Sequence, residues 1–149
     1  MFSSFFDGKN YVKFRQYHPM YDYRGLNKNL DFLEEIINKE DILEIYPKGL
    51  HTEYSDRINL EFTLYIFTKA MILELRPLKG DECEITTYNI RDSKISLLRK
   101  GYDRKLVITF EDSSSLEFSS ETDTNDNWKD DFRKLIIAIT NNILKEMGK

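Results

Sequence analysis

The 149-residue sequence is poor in the residue types that usually carry small-site chemistry. It holds one cysteine and two histidines. A lone Cys83 cannot close an intramolecular disulfide, which suits a reducing compartment. His18, His51 and Cys83 fall in three separate segments, without the close spacing that zinc ligands use. No metal and no cofactor is expected. The six glycines are isolated, so no glycine-rich loop is present to cradle a phosphate. Cys83 has no histidine near it in sequence, and the serines cluster in turn-like stretches where serine is ordinary. An activated nucleophile with its base is therefore missing. The carboxylate pairs Glu34-Glu35, Glu111-Asp112 and Asp130-Asp131 are consecutive. On a helix such neighbours point about 100° apart and do not converge on one substrate. No catalytic residue is expected.

Two further shortages bear on partners. Lys and Arg number 22 against 26 Asp and Glu, a net charge of −4, which counts against general binding of nucleic acid or anionic lipid. The N-terminal "MFSSFFDGKN" lacks a basic leader and an apolar run, so no signal peptide is expected and the cytoplasm is the expected location. The longest apolar stretch, "LEFTLYIFTKAMILELRP" (60–77), carries Glu61, Lys69, Glu74 and Arg76. A spanning helix needs about 20 largely uncharged residues, so membrane insertion is not expected.

Hydrophobic residues make up 40% and charged residues 32% of the chain, the balance of a globular domain, and the length predicts one domain over 1–149. Within 60–77 the apolar residues alternate rather than recur every third or fourth position, which predicts two strands. Leu60, Phe62, Leu64 and Ile66 share one face with Met71, Leu73 and Leu75. A hairpin closing at Thr68-Lys69 would set Ile66 opposite Met71, Leu64 opposite Leu73 and Phe62 opposite Leu75. It would also join Glu61 to Arg76 as an opposite-charge pair. The second face, with Tyr65, Phe67, Ala70 and Ile72, is too apolar to stay wet and calls for cover by this chain or by a partner.

Short β-like runs surround this ribbon: "DILEIYP" before it, ended by Pro47, then "CEITTYNI", "SKISLLRK", "KLVITF" and "SLEFSS", joined by turns. Together they predict seven antiparallel strands over 41–120. The period then changes. Trp128, Phe132, Leu135, Ile139 and Ile143 form one stripe with Ile136 and Met147 beside it, predicting an amphipathic helix over 127–147. Asp130 and Asp131 suit its first turn and Lys145 its last. An earlier helix over 26–39 would place Leu26, Leu30, Leu33 and Ile37 on one face, widened by Phe32 and Ile36.

This order, carried by "LYIFTKAMILEL", "ITTYNIRDSKISL", "KLVITFEDSSSLEFSS" and "WKDDFRKLIIAITNNIL", resembles bacterial pleckstrin-homology-like domains over residues 41–146. Small families of low-GC Gram-positive bacteria and of their phages share the layout. The resemblance implies an α+β fold: a seven-stranded, partly open antiparallel barrel, capped by the C-terminal helix and joined here by an additional N-terminal helix. Lipid-binding members hold inositol phosphates with clustered basic residues between the first two strands. Here "PKGLHTEYSDR" offers Lys48, His51 and Arg57 among Glu53 and Asp56, and the cluster is missing. Phosphoinositide binding is not expected.

The remaining constellation lies in residues 1–24, which hold eight of the twenty aromatic residues. Tyr11, Tyr17, Tyr21 and Tyr23 interleave with Lys13, Arg15, His18 and Arg24. Tyrosine and arginine are enriched at protein hot spots, while aromatics beside cations also suit single-stranded nucleic acid. The plain alternative is a segment folded over the sheet, its rings covering the hairpin and its polar ends in water. The chain is read as a non-catalytic binding or protein-interaction module. Its expected contact surface joins these residues to Tyr65 and Phe67, and the expected partner is a protein rather than nucleic acid. An immunity or phage counter-defence factor is the competing reading.

Overall fold

The computed structural model describes residues 26–49, 63–78, 82–124 and 126–147. Helix α1 (Leu26–Ile36) comes first, followed by seven strands and a long closing helix. The strands are β1 (Glu44–Lys48), β2 (Thr63–Phe67), β3 (Met71–Pro77), β4 (Cys83–Asn89), β5 (Lys94–Lys100), β6 (Asp103–Thr109) and β7 (Ser115–Ser119). The closing helix is α2 (Lys129–Met147), entered through a 3₁₀ turn at Asp126–Trp128. All strand pairs are antiparallel. They make a four-stranded sheet in the order β1-β2-β3-β4 and a three-stranded sheet in the order β5-β6-β7, and the two do not join into a closed barrel.

The ribbon at 60–77 is a hairpin, but its register differs from the expected one by two residues. Leu64 faces Leu75, Ile66 faces Leu73 and Phe67 faces Ile72. The turn therefore runs over Lys69 and Ala70. Thr68 explains the shift: its Oγ1 donates to Met71 O at 2.9 Å and accepts from Met71 N at 3.1 Å, closing the turn one residue later. A slip of two preserves the side-chain faces, so the division of the ribbon survives. Arg76 pairs with Glu84 on β4, while Glu61 and Phe62 lie outside the described residues. Pro47 does not end β1 but sits within it opposite Leu64. Proline is tolerated there because β1 is an edge strand.

Over β1, β2 and the middle of β3 both faces of the first sheet are buried, while β4 is largely exposed. On one, Tyr46, Tyr65 and Phe67 surround Phe118 of β7, with ring centroids 4.9, 4.9 and 5.5 Å away. Phe132 of α2 meets Tyr46 at 5.1 Å on the same side. The final helix and the second sheet therefore cover the Tyr65 face. On the other face Leu64, Ile66, Leu73 and Leu75 are fully buried, and α1 packs against β3 with Leu30 and Leu33 in the core. The α2 stripe from Trp128 to Ile143 is buried as expected. Phe32 and Ile36 depart from expectation: they do not widen the buried face of α1 and are exposed.

Candidate interaction surface

The candidate residues from Tyr11 to Arg24 (Tyr11, Lys13, Arg15, Tyr17, His18, Tyr21, Tyr23 and Arg24) lie outside the described residues. Tyr65 and Phe67 are only 6% and 2% exposed. Phe118 of β7 packs on both rings and Phe132 of α2 lies on the same side. Tyr65 also donates its hydroxyl to Glu74 Oε2 at 2.8 Å, and Tyr88 donates to the other oxygen at 2.7 Å. Burial, then the hydrogen bond to Glu74, pushes the Tyr88 hydroxyl up to about 12.

The polar groups nearest the core lock the fold. Tyr46 donates to Asp123 Oδ2 at 2.6 Å, and the Ser119 amide donates to the same oxygen at 2.8 Å. Burial first, then the Asp123 carboxylate, holds the Tyr46 hydroxyl far above its ordinary range. Asp103 Oδ1 accepts from Ser119 Oγ, Ser120 Oγ and the Glu121 amide. These serines donate straight to a carboxylate with no imidazole between, which pins the chain from β7 towards α2. Lys48, expected in the loop after the first strand, is the last residue of β1 and is engaged within the chain: its Nζ donates to Glu117 O and stands 3.9 Å from Asp123. His51 and Arg57 lie outside the described residues. Among the described residues no group of three metal-ligating side chains forms, and no helix is long and apolar enough to cross a membrane.

Of the outer strands β1, β4, β5 and β7, β5 alone carries exposed large hydrophobics among the described residues, with Leu97 43% and Leu98 54% exposed. Ile95 packs against the core, but such exposure of neighbouring leucines on opposite faces means that the cover does not extend over Leu97 and Leu98. The turn to β6 is two residues long, with Gly101 at φ 61° and Lys100 opposite Asp103. Positive φ at the first central position is the glycine-requiring feature of such hairpins. On the far side of β6 the Ser120 amide donates to Arg104 O, so Arg104 turns its backbone polar groups to β7 and Asp103 turns its own to β5. By the alternation of an antiparallel ladder, Lys94, Ser96, Leu98 and Lys100 bond to β6. The N–H and C=O groups of Ile95, Leu97 and Arg99 point outward along an edge that no described strand occupies.

Charge is divided along this edge. Residues 91–105 hold six basic and two acidic side chains, although the whole chain is acidic. At the turn end, Tyr102 is 83% exposed and the Arg133 guanidinium lies 5.6 Å over its ring. Lys105 is held by Glu117 at 3.0 Å, and Arg104 donates to the Gly101 and Asp103 carbonyls. Arg99 and Lys100 have no ion-pair partner among the described residues. The other end of β5 opens onto a groove of about 400 Å³ between the sheets. Tyr88 and Phe110 stack there, centroids 5.1 Å apart, and Asp92, Glu111 and Asp112 line it. Asp112 accepts from the Ser114 amide and hydroxyl, which lowers its pKa. Asp92 and Glu111 have no such partner among the described residues.

Sequence reasoning placed β5 correctly as a strand but did not single it out as a surface. The available signal was "RKGYDRK", a basic cluster around a turn in an acidic chain. Comparison with family models, with curated proteins and with solved structures finds no match to this chain.

Proposed function

We propose that the chain is a non-catalytic protein-interaction module of the cytoplasm, built on a pleckstrin-homology-like layout, whose contact element is the free edge of β5. The layout is supported by four and three antiparallel strands in two sheets, with a helix after the last strand packed on Tyr46. One observation carries the function: an outer strand whose outward backbone groups meet no strand among the described residues, with two exposed leucines and a basic end. Exposed edges are a hazard that folded proteins normally blunt with bulges, proline, a covering loop or charged side chains. Over Lys94–Lys100 only the last is present among the described residues, as Lys94, Arg99 and Lys100 at the strand ends, and the Ile95–Leu98 centre carries no charge. An extended segment adding to the edge gains backbone hydrogen bonds along the strand, and the alternate side chains set its specificity. Phosphoinositide has no part in this reading, since Lys48 is engaged internally.

A photo-crosslinking residue at position 98, compared with one at position 144 on α2, tests it in a native-host lysate. Leu144 is a control of similar exposure, at 53%. Discrete protein adducts from position 98 and none from 144 are expected. Equal labelling from both positions, or none from 98, would overturn the assignment.

A further inference from the structure

The two ends of β5 differ in charge: at one, Asp92, Glu111 and Asp112 outnumber Arg91 and Lys94, and at the other, one strand length away, stand Arg99 and Lys100. Seven residues at about 3.3 Å each separate them by roughly 23 Å. A segment that satisfied the whole edge would need basic side chains at one end and acidic ones at the other, running antiparallel to β5. β5 itself is such a segment.

Resting on the reading of β5 as a contact edge, we infer that its occupant is a second copy of this chain, joined β5 to β5 in antiparallel fashion. The pairing makes a continuous six-stranded sheet about a two-fold axis. Such an interface is isologous, so every contact is made twice.

The outward groups fix the register. Ile95, Leu97 and Arg99 carry them, so two odd-numbered residues must stand opposite each other. An axis at Ser96 sets Ile95 against Leu97 of the second copy, and Lys94 against its Leu98. It brings Arg99 and Lys100 of the second copy level with the turn before β5, which carries Asp92 and in which the Ser93 amide donates to Ile90 O. Arg99 shares the sheet face of Ile95 and Leu97, so its guanidinium is brought to the mouth of the groove where Asp92 and Glu111 lack partners. Each copy thus supplies the cations that the other's groove lacks, and both exposed leucines gain cover. An axis at Leu97 would instead set Lys94 against Lys100, a like-charge pair that destabilises cross-strand contacts. Charge complementarity selects the first register.

The test is sedimentation of the full chain over a wide concentration range, with two charge-reversed variants, R99E/K100E and D92K/E111K. Asp112 is left unchanged because its carboxylate holds Ser114. Circular dichroism and thermal melts establish that each variant folds. Expected is a monomer–dimer equilibrium that weakens with added salt, as screening requires. Each variant alone should lose affinity by about tenfold or more, the range in which close charge pairs act at interfaces. Mixing the two variants should restore dimer, because both contacts of the mixed pair regain opposite signs. A chain that stays monomeric to millimolar concentration, a dimer indifferent to both reversals, or a mixture that stays monomeric would each overturn the proposal. If the chain is monomeric while position 98 still crosslinks to a different protein, self-pairing is wrong and the edge reading stands. If both fail, the edge reading falls with it.

Discussion

Replacing Phe118 with alanine tests the packing on which the rest of the architecture depends. The ring is fully buried and is the point where β7 meets β1 and β2 through edge-on contacts with Tyr46, Tyr65 and Phe67. A buried Phe→Ala change costs about 3–5 kcal/mol through lost transfer energy and the cavity left behind. Edge-to-face partners add about 0.5–1.5 kcal/mol each where they hold their geometry, so the upper part of the range is expected. Domains of this size have about 5–15 kcal/mol in total. For a chain near 150 residues each kcal/mol shifts Tm by about 2–4 °C, so a fall of roughly 10–20 °C should follow. Trp128 is the only tryptophan and is buried at the start of α2, so its fluorescence reports the urea transition directly. Tyr102→Ala is the control. That ring is mostly in water, and the change should stay within about 0.5 kcal/mol. A loss below about 1 kcal/mol for Phe118→Ala would mean that the two sheets do not meet at this ring.

The other predictions concern local chemistry. Tyr46→Phe removes a buried donor to Asp123 and should cost about 1–3 kcal/mol in urea unfolding, because a carboxylate oxygen loses a partner. Tyr46, Tyr65 and Tyr88 all have folded-state pKa values raised above the ordinary value of about 10. The folded chain therefore holds these protons more tightly than the unfolded one. Their contribution is complete below pH about 10 and is lost as each hydroxyl ionises in the folded chain, for Tyr88 as pH rises through about 12, which alkaline unfolding curves will follow. Glu74→Gln should lower the Tyr88 value while leaving it above the ordinary one, since burial comes first among its causes; absorbance at 295 nm reads this. Gly101→Ala forces a side chain into left-handed backbone at a turn with open space around it. It should cost about 1–2 kcal/mol from conformation alone.

Much of the secondary structure was legible because each element keeps one clean period. The alternation through Leu64, Ile66, Leu73 and Leu75 marked the ribbon, and the stripe from Trp128 to Ile143 marked α2. Register was not legible, because it rests on Thr68 hydrogen-bonding to Met71, a choice made by one hydroxyl. The cover of the Tyr65 face was anticipated only as a need. Which element supplies it depends on contacts between residues more than fifty positions apart, such as Tyr65 with Phe118. Phe32 and Ile36 misled because apolar character alone does not say how wide a buried stripe is. The open edge was the least visible feature. "SKISLLRK" reads like any other strand, and only the strand order shows that no described strand lies beyond it.

Amide hydrogen exchange along β5 tests the central claim most directly. In dilute solution the Ile95, Leu97 and Arg99 amides should exchange freely while the Ser96, Leu98 and Lys100 amides, bonded to β6, stay protected. At high protein concentration Ile95 and Leu97 should gain protection as the second copy binds. Uniform protection along the strand in dilute solution would show that the edge is already occupied within one chain and would contradict the account.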